Sequence, residues 1–309
     1  MVNGAFETLT DAYRRARTAL EAPVRRMDEA TAARIALEAR ELACAAAGLT
    51  RDRFYLQPDA SVDSSRLDAL LNRRIAGEPL AYCLGEWDFE GYAFRTDRRA
   101  LIPRDDSAAT LDLFLTHLPS TAPELTLLDL CAGSGCLGIA AALKLRERGQ
   151  RVRVVLADNS EAALQLAQEN VERFGLQDCV TVCPADLFTL AQWDVSALPF
   201  AFDGFDGCIC NPPYIDREEL AELDREVLAY EPISALFGGE DGLDFYRSGI
   251  EQIPPLLKAG GVLTFEVGYA QSGAVAALFL VSGFEDIRFE NDLQKIPRAV
   301  SARKAIPAR

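Results

Sequence analysis

The sequence predicts an α/β fold with a mostly parallel β-sheet, preceded by a small helical domain. Two patterns support this prediction. From residue 125 onward, short apolar runs alternate with longer segments of helical periodicity, which is typical of strand–helix–strand units. A glycine-rich segment, Gly133-x-Gly135-x-x-Gly138, joins the first of these runs to the helix after it, as in nucleotide-binding sheets.

The composition is that of a folded protein without membrane spans. The 309 residues are 49% hydrophobic and 26% charged, enough for a small domain joined to a larger one. No signal peptide opens the chain, so we expect a cytoplasmic protein that does not bind membranes. The eight cysteines lack zinc-like spacing and are expected to be reduced thiols. The net charge of −15 argues against stable binding to nucleic acid.

Residues 1–77 are predicted to form the helical domain. Apolar residues recur at helical spacing in residues 6–20, 29–47 and 64–76. Gly48 and Gly77 stand where the second and third helices would end. No residue pattern here carries chemistry, so the segment is either a substrate-docking domain or a packing cap.

Residues 78–103 are predicted to be a β-hairpin linker. Four aromatic residues, at positions 87, 89, 92 and 94, are interleaved with polar residues around Gly91. A helix is expected next over residues 107–118, because Pro119 would end it.

The remaining residues, 104–309, are predicted to form the large α/β domain. Parallel strands are expected at residues 125–130, 152–157, 180–182, 205–210 and 261–267, with a final antiparallel pair at 286–289 and 299–302. The helices between them are expected at residues 137–148, 161–174 and 250–257. Cys208 and Cys210 should face the same side of the sheet as small apolar residues.

An Asn-Pro-Pro-Tyr tetrapeptide at residues 211–214 follows the fourth predicted strand directly. Proline donates no hydrogen bond to a strand ladder, so the strand must end there. Asn211 and Tyr214 then stand at the carboxyl edge of the sheet, where open α/β folds bind ligands. The alternative is an ordinary Asn-Pro turn with a solvent-facing tyrosine. The preceding nucleotide motif favours the ligand site.

The glycine loop fits two classes of nucleotide cofactor. In either class, Asp158 at the end of the second strand can bind ribose hydroxyl groups. Asp129, at the end of the first strand, would repel the pyrophosphate of a dinucleotide but suits the ammonium group of S-adenosylmethionine. Hydride transfer also has no need of the Asn-Pro-Pro-Tyr tetrapeptide. The residues therefore favour S-adenosylmethionine over a nicotinamide cofactor, and no metal is expected.

The chain resembles the class I methyltransferases of the HemK type, which methylate a glutamine side chain in peptide chain release factors. The resemblance covers most of the chain, and its specific segments are residues 77–85, 102–104, the glycine loop, 211–214, 230–232, 238–246 and 266–268. It implies a Rossmann-like, monomeric enzyme whose helical domain recognises the substrate. The enzyme would transfer a methyl group from S-adenosyl-L-methionine to the GGQ glutamine of a release factor, leaving S-adenosyl-L-homocysteine.

The resemblance also implies roles for particular residues. It implies that Asn211, Pro212 and Tyr214 are catalytic. These three residues and Pro213 would bind the substrate. The Asn211 side-chain oxygen and the Pro212 carbonyl would accept N–H groups of the substrate amide, with Tyr214 against the amide plane. The implied cofactor contacts are Phe89, Pro103, Arg104, Asp129, Cys131, Ala132, Gly133, Ser134, Gly135, Asp158, Asn159, Asp186, Leu187 and Asn211. Of these, Asp186 and Leu187 would lie beside the adenine, and Phe89, Pro103 and Arg104 would roof the pocket.

Two segments depart from the family pattern. The family continues Ile-Pro-Arg with Pro-Glu-Thr-Glu, whereas here the second acid is lost at Ala108. An Asp-Leu-x-Gly pattern near the end of the chain has Lys295 in place of glycine.

Four alternatives to a release-factor methyltransferase stay open. They are a methyltransferase for a ribosomal-protein glutamine, one for a nucleobase amino group, a dehydrogenase, and a binding protein without activity. His117, the only histidine, is expected to have a packing or surface role.

Overall fold

The computed structural model describes residues 6–24, 27–119 and 122–306. The chain divides into two compact units, Met1–Glu86 and Trp87–Arg309. The division falls inside the segment that the sequence predicts to be a linker.

In the first unit, helices pack around a short two-stranded sheet. Its elements are β1 (Phe6–Thr8), α1 (Leu9–Glu21), α2 (Glu29–Ala47), β2 (Ser61–Asp63), α3 (Ser64–Ile75) and α4 (Leu80–Leu84). The first helix was predicted from residue 6 but begins at Leu9, because residues 6–8 pair with β2 instead. Side-chain oxygens of Thr8, Asp28 and Asp63 cap the three long helices by accepting first-turn N–H groups. Gly48 ends α2 with a φ of 68°, as predicted.

The second unit begins with the predicted hairpin. Strands β3 (Glu86–Phe89) and β4 (Tyr92–Arg95) are joined by Glu90 and Gly91, whose φ values of 57° and 82° form a tight two-residue turn. The predicted helix follows as α5 (Ser107–His117). His117 is buried and has the expected packing role: Nδ1 lies 2.7 Å from Ser301 Oγ and Nε2 lies 3.0 Å from Asp286 Oδ2. Burial lowers its pKa.

The centre of this unit is a seven-stranded sheet. Its strands are β5 (Glu124–Leu130), β6 (Arg151–Asp158), β7 (Val180–Pro184), β8 (Phe205–Cys210), β9 (Leu257–Glu266), β10 (Phe284–Asn291) and β11 (Pro297–Lys304). The order across the sheet is β10-β11-β9-β8-β5-β6-β7. Strands β5 to β9 run parallel, and β10 and β11 are antiparallel. The predicted topology is therefore confirmed.

Helices alternate with these strands along the chain. They are α6 (Cys136–Glu147), α7 (Glu161–Arg173), α8 (Arg217–Glu222), α9 (Arg225–Tyr230), α10 (Asp244–Gln252) and α11 (Ser272–Val281). The prediction of a helix over residues 250–257 was wrong in its bounds. Pro254 and Pro255 lack the N–H groups that a helix needs, so α10 ends at Gln252.

Both faces of the sheet are covered. Alternate residues of each strand point to opposite faces, so Leu127 and Val154 join one buried cluster while Leu128 and Val155 join the other. Cys208 and Cys210 lie in the same cluster, as predicted. Coverage on both faces leaves the strand ends as the place for polar ligands.

Candidate active site

A large cleft opens at the carboxyl edge of the parallel strands. It encloses about 970 Å³, including the part open to solvent. Its walls come from the loops after β5, β6, β7 and β8 and from residues 99–104. Strand β5 has β6 on one side and β8 on the other, so the cleft lies at the switch point of the sheet.

The glycine loop after β5 turns sharply at the bottom of the cleft. Gly133 and Gly135 have φ values of 55° and 78°, in the region that favours glycine. A side chain at Gly135 would lie 2.8 Å from Leu156, and one at Gly138 would lie 2.4 Å from the same residue. Gly135 and Gly138 therefore let α6 approach the sheet, and Gly135 is not among the cleft-lining residues. The loop residues that line the cleft are Cys131, Ala132, Gly133 and Ser134.

Asp158 ends β6 and faces the cleft beside the glycine loop. Its Oδ2 accepts the N–H of Gly133 at 2.9 Å, and its Oδ1 accepts the N–H of Ser160 at 2.9 Å. Burial raises the pKa of this carboxyl group, and the backbone hydrogen bonds oppose the rise. Each oxygen keeps a further lone pair, so Asp158 can still accept hydroxyl groups of a ligand. Asn159 lines the cleft next to it.

Asp129 lies beneath the loop and not among the cleft-lining residues. Its side chain is buried, and Oδ2 accepts the N–H of Gly138 at 2.7 Å at the start of α6. Burial raises its pKa to about 7, and the Gly138 hydrogen bond opposes the rise. Its Oδ1 is buried without a hydrogen-bond partner in the described part of the chain. The structure thus gives Asp129 a loop-anchoring position, and the cofactor contact expected from the sequence stays a prediction.

The loop after β7 gives the cleft an apolar wall. Asp186 and Leu187 line the cleft, and Leu187 is buried. Phe245, from α10, lines the same wall and packs edge to face against Phe188 with ring centroids 4.8 Å apart. An apolar wall near a carboxylate suits a flat base attached to a sugar.

The Asn-Pro-Pro-Tyr segment leaves β8 and borders the cleft. Asn211 and Pro213 line it, whereas Pro212 is buried and Tyr214 is half-buried outside the lining set. The segment is held by backbone pairing of Ile215 with residues 236–238. The Tyr214 carbonyl accepts Gln271 Nε2 at 2.9 Å. Asn211 therefore faces the cleft from a fixed backbone.

A loop before α5 covers part of the cleft. Pro103 and Arg104 line it. Glu231 holds this loop: its Oε2 accepts the N–H of Ile102 at 3.2 Å, and its Oε1 accepts Arg104 Nη2 at 2.5 Å. Phe89, by contrast, is buried in the core against Phe94 and does not line the cleft. Its apolar ring is covered by other apolar groups, which explains the difference from the expected roofing position.

Arg298 joins the two segments in which the chain departs from the family pattern. Its guanidinium lies 3.2 Å from Asp106 Oδ2 and 3.0 Å from Asp292 Oδ2. Asp292 begins the turn that contains Lys295, whose φ of 65° explains why a glycine fits that position. The lost acid at Ala108 leaves the pair of acids around Arg298 intact.

The sequence interpretation gave no role to three polar residues at the site. Ser107, at the start of α5, lines the cleft; Glu231 anchors the covering loop; and Glu266, the last residue of β9, is 2% exposed. Glu231 and Glu266 belong to segments already noted in the resemblance, but only their burial and partners indicate what they do. No group of His, Cys, Asp and Glu residues suited to a metal ion occurs in the described ranges. In the same ranges, no helix has the length and apolar character to cross a membrane.

Comparisons with known proteins agree with this architecture. The PrmC N-terminal domain model matches residues 18–85, and the methyltransferase small domain model matches residues 104–229. The crystal structure of the hMettl16 catalytic domain aligns with a TM-score of 0.50 at 14% identity, covering 79% of this chain and 84% of that chain. The sheet order and the domain match define a class I methyltransferase fold, as predicted.

Curated relatives narrow the class to one family. The release factor glutamine methyltransferase of Geobacter sulfurreducens is 37% identical over 86% of this chain and 89% of its own length. The enzyme of that name from Cereibacter sphaeroides is 34% identical over 94% of this chain and 98% of its own. The ribosomal protein uL3 glutamine methyltransferase of Bordetella pertussis is 37% identical over 70% of this chain and 68% of its own length. The chain belongs to the release factor glutamine methyltransferase family.

Proposed function

We propose that this protein methylates the side-chain amide nitrogen of a glutamine in peptide chain release factors, with S-adenosylmethionine as the donor. The main observation is that one cleft contains both the Gly133–Asp158 pair and Asn211. The first suits the sugar of a nucleoside donor, and the second suits an amide acceptor. Residues for both reactants thus border the same space.

The residues of the cleft fit this donor. Asp158 offers carboxylate oxygens for ribose hydroxyl groups, Leu187 and Phe245 offer an apolar wall for adenine, and the loop at Gly133 exposes backbone. When bound, S-adenosylmethionine supplies a methyl group activated by a sulfonium.

The chain's contribution to the chemistry is orientation. An amide nitrogen is a poor nucleophile because its lone pair is delocalised into the carbonyl. We infer that the Asn211 oxygen and the Pro212 carbonyl accept the two N–H groups of the substrate amide and aim its nitrogen at the methyl carbon. Tyr214 packs against the amide plane. Holding reactants in an attack geometry supplies much of the rate enhancement in such displacements.

Release factors are favoured over the ribosomal protein as substrate by the extent of the relatives' matches. The release-factor enzymes match 86% and 94% of this chain, against 70% for the uL3 enzyme. We further propose that the protein acts as a cytoplasmic monomer, without stable binding to nucleic acid.

The test is methyl transfer from labelled S-adenosylmethionine. We expect label on the GGQ glutamine of a release factor, located by mass spectrometry of the digested protein. A release factor with that glutamine changed to alanine is the control substrate, and uL3 is the competing one. Label on uL3 alone, or on no protein, would overturn the proposal.

Asn211→Ala tests the orienting role. Loss of a positioned polar contact costs on the order of 100-fold in rate, so we expect kcat to fall by about that factor. Most of the cofactor affinity should remain, because the ribose and base contacts lie elsewhere in the cleft. Single-turnover rates at saturating cofactor measure the effect. A wild-type rate would mean that the amide is held at another place.

A further inference from the structure

Glu266 is a buried carboxyl group that the proposed chemistry does not use. It ends β9, and its side chain is only 2% exposed. Its Oε2 has no hydrogen-bond partner in the described part of the chain. A buried polar atom without a partner costs free energy and therefore needs an explanation.

The register of the sheet places Glu266 beside Asn211. Cys210 of β8 pairs with Phe265 of β9 in a parallel ladder, and the next residues along are Asn211 and Glu266. Burial raises the pKa of the Glu266 carboxyl group, and hydrogen bonding to Ser107 and Asn211 opposes the rise, which agrees with the position that the register gives it. Asn211 and Ser107 line the cleft, whereas Glu266 lies behind them.

The backbone of Glu266 is also fixed. Its carbonyl accepts the Tyr246 hydroxyl at 3.0 Å, and the next N–H, of Val267, donates to the Arg298 carbonyl at 2.9 Å. Tyr246 is fully buried, so it cannot easily move away. The backbone that carries the carboxyl group is therefore held in place by two other elements of the fold.

We propose that Glu266 is a positioning residue that fixes the orientation of the Asn211 amide. A carboxylate can only accept hydrogen bonds, so it selects the NH₂ end of Asn211 and leaves the oxygen for the cleft. An amide turned the other way would present N–H groups to the N–H groups of the substrate. This inference rests on the proposed function, in which the Asn211 oxygen orients the substrate amide.

The proposal predicts a pH dependence. Burial raises the pKa of Glu266 to about 7, and hydrogen bonding to Ser107 opposes the rise. Below that pH the carboxyl group gains a proton and can donate, so it no longer selects one orientation of Asn211. The other groups that interact electrically with Glu266 are Arg298, Asp106, Tyr214, Tyr246 and Cys136. We expect kcat to fall as the pH drops from 8 to 6.

Glu266→Gln is the first test. Glutamine keeps the size but both donates and accepts, so we expect kcat to fall by on the order of 10- to 100-fold and its pH dependence near 7 to disappear. The affinity for S-adenosylmethionine should stay within a few-fold, because Glu266 does not line the cleft. Glu285→Gln, at an exposed position of β10, makes the same chemical change as a control.

A paired exchange separates positioning from packing. Asn211→Asp alone places two carboxyl groups side by side and should be strongly impaired. In the double variant with Glu266→Gln, the glutamine N–H groups at position 266 can donate to one oxygen of the aspartate at position 211. The other oxygen of that aspartate is then free to accept from the substrate. We expect the double variant to recover at least tenfold in kcat over Asn211→Asp. No recovery, or wild-type kcat and pH profile in Glu266→Gln, would overturn the proposal.

A measurement without substrate keeps this inference distinct from the proposed function. The side-chain ¹⁵N–¹H resonances of Asn211 should titrate near pH 7 in the wild-type protein and not in Glu266→Gln. Absence of that titration would refute the pairing even if methyl transfer is observed. Its presence with no methylation of release factors would instead refute the proposed function alone.

Discussion

At the scale of single residues, the two acids at adjacent strand ends occupy different surroundings. Asp158 faces the cleft and Asp129 lies beneath the glycine loop. Both have raised pKa values because both are largely buried. The proposed ribose contact depends on Asp158, whereas Asp129 fixes the start of α6 through Gly138. Their identical chemistry makes them a matched pair for testing which acid meets the cofactor.

We expect Asp158→Ala to weaken the binding of S-adenosylmethionine by about 1.5–3 kcal/mol, because hydrogen bonds to a charged group are lost. Asp129→Asn should change this affinity far less, since the asparagine oxygen can still accept the Gly138 N–H. Isothermal titration calorimetry measures both. Equal losses in the two variants would restore Asp129 as a direct cofactor contact.

At the scale of elements, the cleft depends on a loop held by a distant part of the chain. Glu231 follows α9, and it binds residues 102 and 104, which precede α5. The Glu231 side chain is only 2% exposed, whereas that of Arg104 is 40% exposed. The buried carboxylate, with two hydrogen-bonded partners, therefore determines where this covering loop lies.

Glu231→Ala should destabilise this loop, because it leaves the Ile102 N–H without its acceptor and Arg104 without its counter-charge. We expect a loss of about 1–3 kcal/mol in the free energy of unfolding and weaker cofactor binding. Denaturant unfolding and calorimetry measure the two effects. Glu222→Ala, at an exposed position of α8, is the control. An unchanged cofactor affinity in Glu231→Ala would show that the loop is not part of the binding site.

At the scale of the whole molecule, the cleft belongs entirely to the second unit. All of its lining residues lie between residues 99 and 245. The first unit contributes none of them, and it contains the match to the PrmC N-terminal domain model. We therefore assign it, as a proposal, to recognition of the protein substrate.

Deleting residues 1–85 should leave the affinity for S-adenosylmethionine within a few-fold of the full chain. Methylation of an intact release factor should fall much more than methylation of a short peptide containing its GGQ segment. Rates on the two substrates, measured with both forms of the enzyme, give the comparison. If the truncated enzyme methylated the intact release factor at the full rate, the first unit would have only a packing role.

The sequence by itself determined the order of the strands in the second unit, the helices α5, α6 and α7, and the residues at the strand ends, but it did not predict α8, α9 or α11. These features depend on local patterns: apolar periodicity, the glycines of residues 133–138, and prolines after β8. It missed short elements such as β1 and β2, since three residues carry no periodic signal. It also misplaced the end of α10, where Pro254 and Pro255 outweigh the apolar pattern.

Only the tertiary structure decided which side chains share the cleft. Phe89 and Asp129 were expected there but are buried elsewhere, whereas Ser107 lines the cleft and Glu231 and Glu266 lie behind it. Glu231 binds a loop 127 positions earlier in the chain. Glu266 follows Phe265, the residue of β9 that pairs with Cys210 just before Asn211. Burial and partners of this kind arise from contacts between distant segments. Local sequence therefore predicted the framework of the site, and long-range packing determined its polar interior.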